Sequence, residues 1–273
     1  MGEFSAEWLA LREPFDHAAR SEALAAWVFN VLPDRQPVRI LDLGCGTGSN
    51  WRYLERSSER PYRPFFWQLV DEDDELLARV PADDSITTVR RDLRTLDPAL
   101  FTGQHLVTAS ALLDLVSADW ISGLARECRA AGAAVLFALS YDGRIECDPS
   151  EPDDHLVRDL VNRHQHLDKG FGPAVGPEAT RFAESCFMAK GYEVRTAASD
   201  WVLEPDLKVR PTYGVSVLQR ELIAGWARAA AEIAPQEAVT ISEWRRRRLA
   251  HVDAGRSRIL VGHQDLAAVP VSK

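Results

Sequence analysis

Five short apolar or β-branched runs recur along residues 38–139: VRILDL (38–43), FWQLVD (66–71), SITTVR (85–90), HLVTAS (105–110) and AAVLFAL (133–139), with helix-compatible segments between them. That alternation constrains the fold most, because strands joined through helical crossovers pair in parallel and need a helical layer on each face. It predicts an α/β chain built on a doubly wound, mostly parallel sheet. Residues 5–32 read as helix, with Trp8, Leu9 and Leu11 followed by EALAAWVFNVL and Pro33 as the stop. A helix over 118–131 has Ser117 as its N-cap and Gly132 at its C-terminal end.

After Leu139 the rhythm fails. Residues 140–177 are polar and punctuated by Pro and Gly, with one helix expected near 154–164; a segment of this kind reads as an ordered lid or substrate wall. A helix over 177–190, ended by Gly191, leads to the strand YEVRTA. Leu218, Leu222, Ile223, Trp226, Ala230 and Ile233 then fall at helical spacing, and their stripe reads most simply as core. RILVGH (258–263) is the last expected strand. The chain divides into an N-terminal helical cap (1–35), a core (36–140), and two insertions (141–177 and 204–252) within one domain spanning 1–273.

The 273 residues are 46% hydrophobic, enough for a sizeable core, and carry a net charge of −9 with acids and arginines interspersed. A phosphate backbone is an unsuitable partner for such a surface, so no nucleic acid is expected. The dense run Arg245–Arg248 reads as a solvated or salt-bridged helix. Four cysteines without CxxC spacing argue against disulfides and structural zinc. The absence of a leader-like or spanning apolar run makes a soluble, cytoplasmic protein without membrane contact the expectation.

The first strand runs into VRILDLGCGTGSN (38–50), where an acid, Asp42, precedes Gly44, Gly46 and Gly48. A strand that breaks into glycines and opens a helix exposes backbone N–H groups to a ligand at close range. The dinucleotide fingerprint requires its third glycine at the place held by Ser49, and a phosphate-binding loop requires a lysine that is missing. Asp42 would also repel a pyrophosphate. It suits a ligand that carries positive charge.

LDLGCGTG closely resembles the first motif of the class I S-adenosylmethionine-dependent methyltransferases, and the resemblance extends over residues 38–140. It implies a Rossmann-like seven-stranded sheet with N-terminal helices and helical insertions after strands five and six. It also implies that the cofactor is S-adenosylmethionine, with S-adenosylhomocysteine as the product. Gly44, Cys45 and Gly46 would pass the methionine part, and Asp42 would act on it directly or through water. Asp71, with Glu72 beside it, would hold the ribose hydroxyls; Asp92 would take the adenine amino group and the Leu93 backbone a ring nitrogen. Ser110 would lie beside the sulfonium, and Arg20 would reach the methionine carboxylate.

Methyl transfer from a sulfonium is an in-line displacement that depends on alignment and exclusion of water, with a base needed only where the acceptor must lose a proton. The family places its acceptor over the ends of strands four and five. Residues available there include Asp114, Asp142, Asn162, His166, Lys169, Phe171, Trp201, Tyr213 and Trp226, and the candidate bases are His164, Tyr141 and Asp168. No metal is expected, because Gly143 follows Asp142 where the metal-dependent members carry a paired Asp-Asn. SALLDLV after strand four lacks the Asn/Asp-Pro-Pro-aromatic motif of nucleic-acid amino-methyltransferases. The expected acceptor is therefore an O or N atom of a small molecule, in a monomer or homodimer. The alternatives are a protein side chain as acceptor, a regulatory protein that binds the cofactor without turnover, and a nicotinamide-dependent oxidoreductase.

Overall fold

The computed structural model describes residues 5–33, 37–57, 64–205 and 212–271, without the side chains of 212 and 213. The N-terminal helical reading resolves into α1 (Ala6–Ala19) and α2 (Glu22–Val31). Ser5 caps the first by accepting from the Trp8 N–H, Arg20 breaks the run in an extended conformation, and Ser21 caps the second. The alternating segment gives β1 (Val38–Leu43), α3 (Ser49–Ser57), β2 (Phe65–Asp71), α4 (Asp74–Leu77), β3 (Ile86–Arg90), α5 (Pro98–Phe101) and β4 (Leu106–Ser110). Helix α6 (Ala118–Ala131) has Ser117 at its N-cap and Gly132 at φ +68° closing it.

The next strand, β5 (Ala134–Asp148), is 15 residues long and continues nine residues beyond the expected end. Residues 140–148 look like loop because they are polar, but they pair antiparallel with the last strand through two register shifts. Gly262 makes room for this pairing: a Cβ there would stand 2.1 Å from an Asp142 carboxylate oxygen. Helices α7 (Asp154–Gln165) and α8 (Ala179–Ala189) follow, then β6 (Tyr192–Ala198), β7 (Trp201–Leu203), α9 (Thr212–Ile233), α10 (Ala238–Asp253) and β8 (Arg258–Pro270).

The sheet order is β3-β2-β1-β4-β5-β8-β6, with β7 also paired to β8. Strands β1 to β5 are mutually parallel and β8 runs against both β5 and β6. This is the doubly wound, Rossmann-like α/β class, with eight strands where seven were expected. The eighth arises because β6 and β7 lie end to end along β8, interrupted where the Asp200 carboxylate accepts the His263 N–H.

Two apolar clusters fill the faces of the sheet, one beneath α6 and α8 (Leu124, Phe137, Phe187) and one beneath α2 and α3 (Val28, Leu54, Trp67). A third joins α7, α9 and α10 to Tyr141, Trp201 and Val261, and it holds Leu218, Ile223, Trp226 and Ala230 of the expected core stripe. The arginine run lies on α10, where Arg248 is fully buried against Asp154 (Nε to Oδ1 2.9 Å) and Arg247 meets Glu151 (2.7 Å) and Asp153. Among the described residues no helix is long and apolar enough to cross a membrane.

Candidate functional site

The end of β1 turns through three glycines, Gly44, Gly46 and Gly48, at φ +65°, +53° and +84°. These values lie in the left-handed region that side chains disfavour, which is why the turn needs glycine. Asp71, at the end of β2, stitches the turn to its neighbour. One carboxylate oxygen accepts the Gly46 N–H at 2.8 Å and the other the Asp73 N–H at 3.1 Å. Each oxygen keeps a lone pair for a ligand hydroxyl.

A cavity of about 170 Å³ opens over this loop, lined by Gly44, Cys45, Gly46, Thr47, Ser49 and Asn50 below, Asp71, Glu72, Asp73 and Leu76 at one end, and Ser110, Ala111, Leu112 and Leu115 at the other. Helix α1 roofs it with Leu9, Arg12 and Asp16. Past Glu72, Asp73 and Leu76 the cavity meets a groove of about 810 Å³ that carries Asp92, Arg94, Arg90 and Arg79. The cavity wall bears four carboxylates, Asp16, Asp71, Glu72 and Asp73, against one cation, Arg12. Such a wall favours a ligand with positive charge and disfavours a pyrophosphate.

Asp42 stands behind the wall rather than on it, 1% exposed. Asn50 Nδ2 donates to its Oδ1 at 2.7 Å, while Oδ2 has no partner. Burial pushes its carboxyl up to about 7, against the pull of the Asn50 hydrogen bond and the Arg20 charge. Asn50 also donates to the Thr108 hydroxyl at 3.0 Å and accepts from Arg20 Nη1 at 2.8 Å. Asn50 thus lies on the wall and bridges two buried charges behind it. The sequence reading missed it, because its role depends on how α1 docks against α3.

Of the expected cofactor residues, the fold brings Gly44, Cys45, Gly46, Asp71, Glu72 and Ser110 onto one cavity wall. Asp92 faces the adjoining groove, 43% exposed and held by Arg94 (Nε to Oδ2 2.7 Å). The Leu93 side chain is buried in the core, and its carbonyl accepts the Trp120 indole N–H at 2.6 Å. Arg20 differs from expectation. Its side chain is 2% exposed, lies 3.5 Å from Asp265 and stacks over Tyr53 at 4.5 Å, off the cavity wall. A buried guanidinium needs such partners, and Asp265 and Asn50 already occupy it.

The three candidate bases are neither together nor on the wall. Tyr141 donates its hydroxyl to Asn162 Oδ1 at 2.7 Å, and burial drives its pKa upward. His164 sits between Glu232 (2.9 Å) and Lys169 (3.2 Å) on the α7 face that meets α9. Asp168 caps its own loop by accepting the Gly170 and Gly172 N–H groups at 2.7 and 3.0 Å. Phe171 packs on Trp120 against the first cluster, Trp226 is buried in the third, and the side chain of Tyr213 lies outside the described residues. Trp201 is the aromatic that reaches the cavity roof: its indole N–H donates to Asp16 at 3.1 Å and its ring lies 4.9 Å under Arg12. No group of three or more His, Cys, Asp or Glu positioned to hold a metal ion occurs among the described residues.

No family model and no curated protein matches the chain. Solved structures resemble it at low identity. A Haemonchus contortus phosphoethanolamine N-methyltransferase 2, in complex with phosphomonomethylethanolamine and S-adenosylhomocysteine, is 12% identical with a TM-score of 0.47; the match covers 99% of this chain and spans only 58% of that protein. An S-adenosylmethionine-dependent methyltransferase from Mesorhizobium loti is 19% identical with a TM-score of 0.40, covering 97% of this chain and 98% of the other. A mycolic acid cyclopropane synthase complexed with S-adenosylhomocysteine is 11% identical with a TM-score of 0.45, covering 90% and 83%. At such identities and scores these proteins record a likeness and decide nothing about the chemistry of this chain.

Proposed function

We propose that the chain is an S-adenosylmethionine-dependent methyltransferase acting on an O or N atom of a small molecule. The observation that carries the reading is the acid-lined cavity over the glycine turn, with four wall carboxylates against one guanidinium and an unpartnered buried Asp42 oxygen behind them. When bound, S-adenosylmethionine supplies a sulfonium methyl group as the electrophile. Its ammonium and sulfonium suit that wall, whereas a nicotinamide dinucleotide would bring a pyrophosphate against it.

The chain's own residues divide the work of binding. Gly44 and Gly46 leave the floor open to a chain that passes closely, since a Cβ on Gly46 would come within 3.0 Å of Leu9. Asp71 has free lone pairs for two vicinal hydroxyls, and Asn50 on the wall is backed by Asp42, whose ionised form an ammonium would favour. Asp92 and Arg94 edge the groove that suits an adenine. The α1 roof over the cavity would limit water near Ser110, where the acceptor would meet the methyl, and a roofed site of about 170 Å³ favours a small acceptor over a protein side chain. No wall residue at that end is required as a base, and positioning alone supplies a large part of such a rate.

The test is calorimetric titration with S-adenosylhomocysteine, followed by incubation with methyl-labelled cofactor and cell extract. Binding in the micromolar range and a labelled small-molecule product are expected. Asp71→Ala should weaken binding by about 1.5–3 kcal/mol, roughly 10- to 150-fold. Absence of binding removes the cofactor assignment. Binding without labelled product in varied extracts would leave a regulatory protein that holds the cofactor without turnover.

A further inference from the structure

We propose that Arg12 is the acceptor-recognising residue of this site, and that the acceptor is a small organic acid whose oxyanion takes the free edge of the Arg12 guanidinium. The proposal rests on the methyltransferase reading above and names the substrate class for it.

The two faces of α1 carry the first step. Glu13, His17 and Arg20 face the glycine-loop helix, through Arg52 (2.8 Å), Ser49 (3.1 Å) and Asn50 (2.8 Å). Arg12 and Asp16 lie on the adjacent face, against Trp201 and on the cavity wall. Arg12 therefore reaches the cavity from the side of the roof that packs on β7.

The fork geometry carries the second step. Arg12 spends one edge on Asp16, with Nε to Oδ2 at 2.9 Å and Nη2 to Oδ1 at 3.1 Å, and Trp201 fixes Asp16 from behind. The terminal edge, Nη1 with the second Nη2 hydrogen, has no protein acceptor among the described residues. Two parallel N–H groups at that edge match the two oxygens of a carboxylate or phosphate, a geometry that a lysine lacks. A pair serving only to pin α1 to β7 would have no need to lie on a cavity wall as its only cation.

The surroundings carry the third. Asp114 Oδ1 and His263 Nδ1 are both buried without a partner, and the Arg12 charge acts on both groups. His263 lies 5.0 Å from the Trp201 ring. Burial and the Arg12 charge hold its imidazole down to about 3, so it is neutral at pH 7 and adds no second cation. Ala111, on the cavity wall just after β4, is one of two non-glycine residues at positive φ among those described (+53°). Strain of that kind accumulates where a binding site over-determines the backbone.

The test uses the full chain saturated with S-adenosylhomocysteine and titrated with benzoate and, separately, phenyl phosphate, read by tryptophan emission. Trp201→Phe identifies the responding ring. Saturable binding of at least one probe is expected, weakened at least tenfold in Arg12→Met while S-adenosylhomocysteine affinity stays within threefold of wild type. Arg12→Lys, which keeps the charge and a partner for Asp16, is the control for folding and should also lose most of the binding. The preferred probe separates a carboxylate from a phosphate acceptor. Equal probe binding in Arg12→Lys and wild type, or no probe binding in wild type, overturns the proposal. A tenfold loss of S-adenosylhomocysteine affinity in Arg12→Met also overturns it, by assigning Arg12 to the cofactor. Failure of wild type to bind S-adenosylhomocysteine is seen in the first titration and removes the underlying methyltransferase reading instead.

Discussion

The two ends of the cavity are assembled by opposite means. At the glycine end the wall comes from a few consecutive residues, 44–50 and 71–73, held by hydrogen bonds within two adjacent loops. On the roof side Arg12 and Asp16 reach the wall, and behind them stand Asp114, Trp201 and His263, contributed by the turn after β4 and two strands from the far end of the chain. A local site can be written as a motif, because its geometry follows from the backbone of one turn. A dispersed site exists only once the layers have docked.

The same contrast divides the charges around the cavity. Asp42 and Asp71 lie beneath or beside the local end, whereas Arg20, which read as a cofactor contact, belongs to the docking of α1 and α2 onto β8 through Asp265. Substitutions can break the comparison in order of expected effect. Gly46→Val should lower S-adenosylhomocysteine affinity more than 100-fold. The new side chain would project toward Leu9 across the floor of the cavity, and the left-handed backbone would cost about 1–2 kcal/mol of stability besides. Calorimetry beside thermal melting separates the two effects, and unchanged affinity would mean the ligand does not cross this turn.

Arg20→Met should do the reverse, lowering stability by about 3 kcal/mol by leaving Asp265 without its buried countercharge, with less than a threefold change in affinity. Urea unfolding with calorimetry decides it. A loss of affinity at unchanged stability would return Arg20 to the ligand, as the sequence suggested.

A third effect is one of pH. The Asp42 carboxyl is raised from 3.8 to about 7 in the folded chain, so between those values the native state holds a proton that the unfolded state has lost. Its contribution to stability is fully present below about pH 4 and is lost as pH rises toward 7. His263, held near 3 against 6.5, acts with the opposite sign, since the unfolded chain binds the extra proton between those values and stability rises with pH. The difference between Asp42→Asn and wild type isolates the first group: the variant should gain in relative stability from pH 4 to 7, measured by urea unfolding across that range. In wild type, S-adenosylmethionine should bind more tightly as pH rises through 7, because its charge favours the ionised carboxylate, and Asp42→Asn should flatten that slope.

Much of the sheet was legible because hydrophobic period and caps act over a few residues: the five runs became β1 to β5, and Ser117 and Gly132 bound α6 where their side chains and backbone allow. The extension of β5 was not legible, since residues 140–148 are polar and owe their strand to pairing with β8 and to the absence of a side chain at Gly262. Arg245–Arg248 read as four equivalent charges, yet Arg248 is buried on Asp154 while Arg245 and Arg246 stay exposed. Nothing within a run of identical residues says which one faces a neighbouring helix.

For the site, the sequence by itself determined the glycine turn, its ligand-facing backbone and the acid at the end of β2, since left-handed φ and strand-end placement are properties of short segments. Only the tertiary structure decided that α1 forms the roof, that Arg12 and Asp16 rather than Arg20 line the cavity, and that His164, Tyr141 and Asp168 are not among its wall residues. Those outcomes depend on which face of a helix is buried after docking, and the energy that selects the face is shared among residues distant in the chain.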